Sequence, residues 1–284
     1  MRIAVVGLGL IGGSLGLALK RNGTDMEVVG YARRAEVARV AVQRGAVDRA
    51  EGDLSAAVER AEVVFLATPV MAVREIMSGM ASYLTEGCAV SDVGSTKAQV
   101  MAWADEFLPS SVSFIGGHPM AGKEVSGIEA ADGELLRGCT YCLVPGRKAA
   151  KGAVERVEGL VRQMGASPLY IDAAEHDNLV AAISHLPMVL SAALVSMTMN
   201  SPLWPGMSRL AATGFRDVTR LASGSAEMTR DICLTNRDSL LAWLDEYVNE
   251  LERWRRLIEN GGEGVQKAFL EAREKRKDWL SQIQ

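Results

Sequence analysis

The sequence predicts an α/β fold, a doubly wound and mostly parallel sheet followed by an all-α domain. Short apolar runs rich in β-branched residues alternate with helical segments up to residue 171, which is typical of a parallel sheet covered by helices. From Ala174 onward the strand signals stop, and apolar residues recur at helical spacing instead. We therefore place a domain boundary between residues 172 and 173.

The composition is that of a globular protein with room for two hydrophobic cores. Its 284 residues are 48% hydrophobic and 23% charged, with a formal net charge of -4, so no basic surface for nucleic acid is indicated. Four cysteines do not make a disulfide framework in a chain of this length. Cys139 and Cys142 form a lone C-x-x-C without a second pair, and we predict no metal site.

A glycine-rich turn follows the first apolar run, Ile3–Val6, and leads into an apolar helix from Gly13 to about Arg21. The turn consists of Gly7, Leu8, Gly9, Leu10, Ile11 and Gly12. Between a strand and a helix, G-x-G-x-x-G is the Rossmann signature for a dinucleotide, because its glycines allow a tight turn, close approach of the pyrophosphate and helix packing. We predict a dinucleotide-binding domain over 1–172; the alternative is a tight turn without a ligand.

Arg2, followed by an uncharged run to Leu19, has a superficial likeness to a signal peptide. Glycines interrupt the run repeatedly, however, and no cleavage site of small residues follows before Lys20. We expect a cytoplasmic protein.

The end of the second strand, Glu27–Tyr31, bears on the choice of nicotinamide cofactor. An NAD enzyme usually has an acid there for the ribose 2′-hydroxyl, whereas here Ala32, Arg33 and Arg34 follow Tyr31. Guanidinium groups pair well with phosphate, so we predict NADP, with NAD as the alternative. The two arginines would otherwise be solvated residues in the first turn of a helix.

The third buried strand, Val63–Thr68, ends at Pro69. Thr68 and Pro69 are expected to form a turn packed near the nicotinamide, although an ordinary strand terminator fits the sequence nearly as well. The elements between these strands and after them are predicted at Glu36–Gln43 (helix), Val73–Leu84 (helix), Tyr141–Val144 (strand), Lys151–Met164 (helix) and Pro168–Ile171 (strand).

Ser95 follows the strand Cys88–Val93, immediately after Gly94. Its hydroxyl group can donate and accept, which suits a bridge between a substrate hydroxyl, the cofactor and a histidine. The alternative is that Ser95 caps a helix over Thr96–Phe107.

His118 is one of only three histidines, and glycines and Pro119 surround it in the stretch Phe114–Glu124. Because this stretch continues an apolar extended run, we expect His118 where a strand gives way to a loop. Ligands bind at that edge of open α/β sheets. The alternative is a solvent-exposed histidine in a turn.

The second half of the chain is predicted to be helical throughout and to form a homodimer. Residues 178–208 carry no acid, lysine or arginine, and their polar residues and prolines favour a buried helix over a membrane span. Leu240 to Ile258 keeps helical spacing, and Val265–Ile283 is predicted as a final, more polar helix. The many apolar positions indicate packing against a second copy, so we assign 173–284 to dimerisation and substrate binding.

Two clusters in this half have residue types suited to substrate binding. One is Ser184-His185-Leu186-Pro187, and the other contains Arg216, Asp217 and Arg220. Two arginines four residues apart can share a helix face and would suit a small dicarboxylate. A surface ion pair with Asp217 is the other interpretation.

Taken in order, these motifs resemble the prephenate/arogenate dehydrogenase family of tyrosine biosynthesis. The stretches that carry the resemblance are Gly7–Gly12, Asp92–Lys97, Gly116–Gly122, His176-Asp177, Ser184–Pro187 and Gly214–Arg220. The resemblance covers nearly the whole chain and implies oxidative decarboxylation of a cyclohexadienol, with hydride transfer to the nicotinamide.

The resemblance also implies roles for individual residues. His118 would take the proton of the ring hydroxyl, Ser95 would orient that hydroxyl group, and Arg220, together with Arg216, would hold the ring carboxylate. A supporting polar network for the arginine would consist of Asp217, His176 and Asp177, with His185 close to the substrate. Glu124 would lie near the mouth of the pocket.

Departures from the family pattern bear on the substrate. Members that use prephenate often have a histidine after His-Leu-Pro, where this chain has Met188, and a small hydroxyl residue is common where it has Lys123. Together with the missing acid after Tyr31, this resembles the NADP-dependent branch that uses arogenate. An additional cation at Lys123 could contact a substrate carboxylate.

Alternatives in other classes fit the sequence less well. The closest alternative is a prephenate dehydrogenase that uses NAD or NADP. A β-hydroxyacid dehydrogenase or imine reductase would need a catalytic lysine near residues 176–196, where none stands. A redox-sensing regulator that binds NADP without turnover would need a partner surface or a basic element, and neither is evident.

Overall fold

The computed structural model of the protein describes residues 1–21, 25–123 and 125–282. The chain divides into two compact units, Met1–Arg237 and Asp238–Gln284. The predicted boundary between residues 172 and 173 lies inside the first unit, where the sheet gives way to helices.

The strands of the described residues form one sheet. They are β1 (Arg2–Val6), β2 (Glu27–Tyr31), β3 (Arg49–Glu51), β4 (Val63–Leu66), β5 (Ala89–Asp92), β6 (Ser113–Pro119), β7 (Thr140–Pro145) and β8 (Ser167–Tyr170). Their spatial order is β3-β2-β1-β4-β5-β6-β7-β8, and only β6 and β7 pair antiparallel. The order reverses at β1, which confirms the predicted doubly wound sheet of the Rossmann type.

Helices of the first unit lie between the strands and after β8. They are α1 (Leu10–Lys20), α2 (Ala35–Gln43), α3 (Leu54–Val58), α4 (Val70–Met80), α5 (Ala98–Phe107), α6 (Lys151–Gln163), α7 (Ala173–Val180), α8 (Leu186–Met199), α9 (Trp204–Met207), α10 (Thr213–Thr219) and α11 (Ala226–Thr235). A helix between consecutive parallel strands is the usual connection of this fold.

Both faces of the sheet are buried. Ile3 and Val5 belong to one core cluster, whereas Ala4 and Val6 belong to a second. Successive side chains of a strand point to opposite faces, so a strand buried on both faces has a continuous apolar sequence. This explains why the strands of the sheet centre were readily predicted.

Two elements, β3 and α3, were not predicted. β3 pairs only with β2 and therefore forms an edge of the sheet. Its sequence, Arg49-Ala50-Glu51, has no apolar run, and an ion pair joins the two charged side chains. Charged edge strands avoid pairing with other chains, but they lack the pattern by which a strand is predicted.

The helical region of the first unit begins with a long stretch, Ala173–Met199, that includes α7, a π-helical turn (Ala181–His185) and α8. By length and composition this stretch could cross a membrane, and its most apolar window has a mean hydropathy of 1.9. Only 28% of that window is buried inside the chain. The predicted buried helix is therefore wrong in part, because apolar side chains such as Ile183 and Met197 are 71% and 68% exposed.

The second unit contains α12 (Arg237–Asn260), which starts one residue before it, and α13 (Glu263–Gln282). Trp254 of α12 packs against Phe269 of α13, with 4.8 Å between the ring centroids. Gly261 and Gly262 join the helices with φ values of 63° and 76°, which favour glycine. Two helices in this part of the chain agree with the sequence prediction.

Candidate active site

Each glycine of the turn between β1 and α1 meets a different steric requirement. Gly7 has a φ of 101°, and a Cβ on it would lie 2.5 Å from the carbonyl oxygen of Ala67. A Cβ on Gly12 would lie 1.9 Å from the carbonyl oxygen of Gly7, whereas nothing lies within 4 Å of the Cβ position of Gly9. Gly7 thus makes the tight turn, Gly12 allows close packing of the helix, and Gly9 leaves the backbone open to the pyrophosphate of a dinucleotide.

Two adjoining cavities lie at the carboxyl ends of the strands. The glycine-turn cavity has a volume of about 680 Å³, and the His118 cavity has a volume of about 710 Å³. They share Gly9, Ala67, Thr68 and Pro69. One elongated ligand can therefore reach from the first cavity into the second.

Most residues predicted to bind the cofactor line these cavities. They are Gly7, Gly9, Leu10, Ile11, Tyr31, Arg33, Arg34, Thr68, Pro69 and Ser95. Gly12 packs under the turn instead of lining a cavity. The amino end of α1 contributes Leu10 and Ile11, where free N–H groups favour phosphate. The residues present thus fit a nicotinamide dinucleotide.

The end of β2 places two cations at the wall of the glycine-turn cavity. Tyr31 is the last residue of β2, and the exposed Arg33 and Arg34 follow it before α2 begins. Among the lining residues that the structure describes, Glu75 is the one acid. Guanidinium groups at this position can pair with a phosphate on the adenosine ribose.

Ser95 lines the His118 cavity, as predicted from its position after β5. It does not cap the next helix, because α5 begins at Ala98 and not at residue 96. The N–H groups at the start of α5 are bound instead by the carboxylate of Asp177. It accepts from Lys97 N at 2.7 Å and from Ala98 N at 2.8 Å. The hydroxyl group of Ser95 is therefore not used as a helix cap.

His118 is the penultimate residue of β6, close to the predicted junction of strand and loop. β6 pairs with β5 only as far as Ile115, and beyond it the strand pairs with β7 alone, with His118 opposite Cys142. The last residues of β6 therefore extend past the end of β5, which brings the imidazole to the wall of the His118 cavity. The antiparallel neighbour β7 makes this extension possible.

A chain of hydrogen bonds runs behind His118. Its Nδ1 lies 2.9 Å from Nε2 of His176, and Nδ1 of His176 lies 2.8 Å from Oδ1 of Asp177. His176 and Asp177 are 1% and 3% exposed. The carboxylate can only accept, so His176 carries its proton on Nδ1; with His176 neutral, Nδ1 of His118 donates to it. Nε2 of His118 is then unprotonated, as a base must be.

The surroundings of His118 favour its neutral form. Burial lowers the pKa of His118 well below its usual value, and the positive charge of Lys97 lowers it further, as would a proton on His176 or His185. The imidazole is therefore neutral near pH 7, as a proton acceptor must be.

A buried ion pair supports the loop that carries Ser95 and the end of β6. Lys97 donates to Oδ2 of Asp92, and both side chains are 0% exposed. The same carboxylate accepts from Gly94 N at 2.8 Å and from Gly117 N at 3.0 Å. Asp92 thus connects the loop after β5, which carries Ser95, with β6, which carries His118.

His185, predicted beside the substrate, is 1% exposed and lies behind the cavity wall. Its Nδ1 lies 3.1 Å from Nδ2 of Asn236, and burial lowers the pKa of His185 to about 4, with a further contribution from His176. Its neighbours Ser184 and Met188 line the His118 cavity. His185 therefore belongs to the support of the site.

The structure places the predicted arginine network differently from the sequence prediction. His176 and Asp177 lie behind His118, because burial on the sheet side gives them His118 and the α5 amide groups as partners. Arg216, Asp217 and Arg220 are exposed at α10 and its end, outside the lining of the His118 cavity that the structure describes. The turn just after Arg220 contributes Ser223 and Gly224 to that lining.

Lys123 lines the His118 cavity and forms an exposed ion pair with Asp132 at 3.2 Å. Glu124, predicted at the pocket mouth, lies outside the described residues. Asp92, Lys97 and Asn236 are supporting residues that sequence reasoning missed. A lysine in an apolar strand-to-helix loop and an asparagine just after a helix were the only signals for the last two.

Comparisons with known proteins identify the family of the chain. Residues 15–170 match the family described as prephenate dehydrogenase, nucleotide-binding domain, and residues 172–271 match prephenate dehydrogenase, dimerization domain. The prephenate dehydrogenase of Bacillus subtilis is 40% identical over 259 residues, which are 90% of this chain and 70% of the relative.

Solved structures of similar proteins cover almost the whole chain. Prephenate dehydrogenase of Aquifex aeolicus, in complex with hydroxyphenyl propionate and NAD+, has a TM-score of 0.91 at 28% identity and covers 98% of both chains. Arogenate dehydrogenase of Synechocystis has a TM-score of 0.84 at 31% identity and covers 98% of this chain and 100% of its own. The chain therefore belongs to the prephenate/arogenate dehydrogenase family of oxidoreductases.

Proposed function

We propose that this protein is an NADP-dependent arogenate dehydrogenase, which converts L-arogenate into L-tyrosine and carbon dioxide. The observation that carries the proposal is His118, held at the wall of the His118 cavity by the chain through His176 to Asp177. A base of this kind matches a reaction in which a ring hydroxyl loses its proton while a hydride leaves the same carbon.

His118 would accept the hydroxyl proton on Nε2 as the ring carbon becomes a carbonyl carbon. A nicotinamide held in the adjoining cavities would supply the acceptor for the hydride that leaves that carbon. The bond between the ring and its carboxylate then breaks, its electron pair makes the ring aromatic, and carbon dioxide leaves. The phenolate oxygen formed takes the proton back from His118, so that protons and electrons balance.

Further side chains would orient the substrate. Ser95, on the same cavity wall, would bridge the ring hydroxyl and the cofactor, since a hydroxyl group both donates and accepts. Arg220 would hold the ring carboxylate, with Arg216 as the second candidate, and the adjacent turn at Ser223 supports this because it lines the cavity. Lys123 would face a substrate carboxylate from the opposite side.

Met188 favours arogenate over prephenate. It lines the His118 cavity at the position where a cationic or donating side chain would suit a keto acid. A second candidate function is prephenate dehydrogenase with NAD or NADP. It is favoured by the names of the Bacillus subtilis and Aquifex aeolicus relatives and by the NAD+ in the latter structure.

The reaction is tested by recording absorbance of the reduced nicotinamide for arogenate and prephenate, each with NADP and NAD. We expect arogenate with NADP to have the highest kcat/KM, by about tenfold or more over each other mixture, since a specific polar contact is worth at least that factor. A higher kcat/KM with prephenate would move the assignment to prephenate dehydrogenase. If the protein binds NADP but shows no turnover in any of the four mixtures, the result would favour a redox-sensing regulator instead of an enzyme.

Arg33 and Arg34 would hold the 2′-phosphate of NADP. Replacing both by alanine is expected to weaken NADP binding by roughly 10-fold to 100-fold, because charge-assisted hydrogen bonds of about 1.5–3 kcal/mol are lost, and to leave NAD nearly unchanged. Isothermal titration with both cofactors measures this. Arg39, on the next turn of α2 outside the glycine-turn cavity, provides the control R39A, and equal losses for NADP and NAD would contradict the proposal.

We also propose a homodimer through the helices after the sheet. The name of the matching C-terminal family, dimerization domain, supports it, and so do exposed apolar side chains in this region. Leu203, Leu210 and Val218 are 66%, 85% and 61% exposed within one chain. Patches of this kind usually mark an interface.

A further inference from the structure

Asn236 lies where α11 meets the histidine cluster. It follows α11 and is 4% exposed, and its Nδ2 lies 2.7 Å from the carbonyl oxygen of Asp177 and 3.1 Å from Nδ1 of His185. A carbonyl oxygen can only accept, so the amide nitrogen must face it. Both hydrogens of the amide are then donated, one to Asp177 and one to His185.

This geometry determines the tautomer of His185. Since Nδ1 accepts from Asn236, the proton of the neutral ring is on Nε2, which is buried and has no hydrogen-bond partner among the described residues. A ring without the Asn236 amide could carry its proton on either nitrogen.

The same amide fixes the backbone of Asp177. The Asp177 carbonyl also accepts the helical hydrogen bond from the N–H group of Ala181. The π-helical turn begins at Ala181. π-helical turns are frequent at functional sites, where they accommodate an unusual backbone partner. The side chain of Asp177 holds His176 at 2.8 Å, and His176 holds His118 at 2.9 Å.

Asn236 also joins this chain of hydrogen bonds to the wall of the substrate cavity. Glu227, Met228 and Ile232, on α11, line the His118 cavity, and Asn236 is the next residue after that helix. We propose that Asn236 is a positioning residue for His118, acting through Asp177 and His176. The proposal rests on the proposed role of His118 as the base, and Asn236 itself touches neither cavity.

The test compares Asn236→Ala and Asn236→Asp with the matched control Thr235→Val. Thr235 is the neighbouring residue and ties α11 to Thr96 through hydroxyl groups 2.8 Å apart, without a bond to a histidine. Asn236→Asp keeps the size of the side chain but loses the two amide donors. We expect both Asn236 variants to lower kcat by about 10-fold to 100-fold, as displaced catalytic groups do, with KM for NADP within about twofold.

The pH profile distinguishes positioning from general stability. In both Asn236 variants the acidic limb of the pH profile of kcat should be displaced. Thr235→Val should leave kcat and its pH profile unchanged, even where it lowers Tm. A profile like that of the wild type in the Asn236 variants, or a fall in kcat equal to that of Thr235→Val, would overturn the proposal.

A second measurement uses the wild-type protein and does not depend on folding of the variants or on turnover. Nitrogen-15 chemical shifts of the three histidines report which ring nitrogen carries the proton. We expect His185 protonated on Nε2 and His118 on Nδ1 near pH 7. A proton on Nδ1 of His185 would overturn the proposal, while loss of the base role would appear separately as full activity of His118→Asn.

Discussion

Replacing His118 by asparagine is expected to lower kcat by roughly 10²- to 10⁴-fold, the usual contribution of a general base. Asparagine can still hydrogen-bond the ring hydroxyl, but it cannot accept its proton. Binding of NADP should change by less than about twofold, because the glycine turn and the end of β2 are formed by other residues. Stopped-flow turnover and fluorescence titration of NADP measure the two effects.

The control is Cys142→Ala, in the residue that pairs with His118 across β6 and β7. Cys142 is 5% exposed and belongs to the core of the sheet, so its truncation tests disturbance of the strand pair alone. The control should keep kcat and the pH profile of the wild type. If His118→Asn retains turnover, or loses NADP binding along with turnover, His118 has a structural role instead.

What could be predicted from the sequence was local in the chain. The glycine turn is read from consecutive residues, and the close contact of Gly12 with Gly7 is local, whereas the contact that excludes a Cβ at Gly7 is with the distant Ala67. Ser95 and His118 were placed at the site because both follow buried strands, and parallel strands end at the same edge. The strands of a sheet that is covered on both faces have continuous apolar sequences, which is the clearest secondary-structure pattern in this chain.

What could not be predicted depends on partners distant in the chain. His176 lies 58 residues from His118, and Asp177 lies 80 residues from Lys97, so no local pattern reveals that these side chains meet. For this reason the sequence prediction paired them with an arginine and missed their bonds to His118 and to the α5 amide groups. The extension of β6 beyond β5 was missed because it depends on an antiparallel partner, β7.

Replacing Lys97 by methionine is expected to lower the free energy of unfolding by about 3–5 kcal/mol, the cost of leaving a buried charge without its partner. Asp92 would keep only the amide groups of Gly94 and Gly117 as donors in a fully buried position. Urea denaturation followed by circular dichroism measures the loss. Lys151→Met is the matched control, because Lys151 is 91% exposed in its pair with Glu155 and should cost less than about 1 kcal/mol.

The double variant Asp92→Asn with Lys97→Met separates charge pairing from packing. Removing both charges of a buried pair is often neutral, so we expect the double variant to recover most of the stability lost in Lys97→Met. Asparagine can still accept from one of the two amide groups, whereas its NH₂ opposes the other, so recovery should be incomplete. If the double variant loses as much free energy of unfolding as the two single variants together, the ion pair is not coupled and the prediction is contradicted. Because Gly117 precedes His118, incomplete recovery should also appear as a lower kcat, which would link this buried pair to the position of the base.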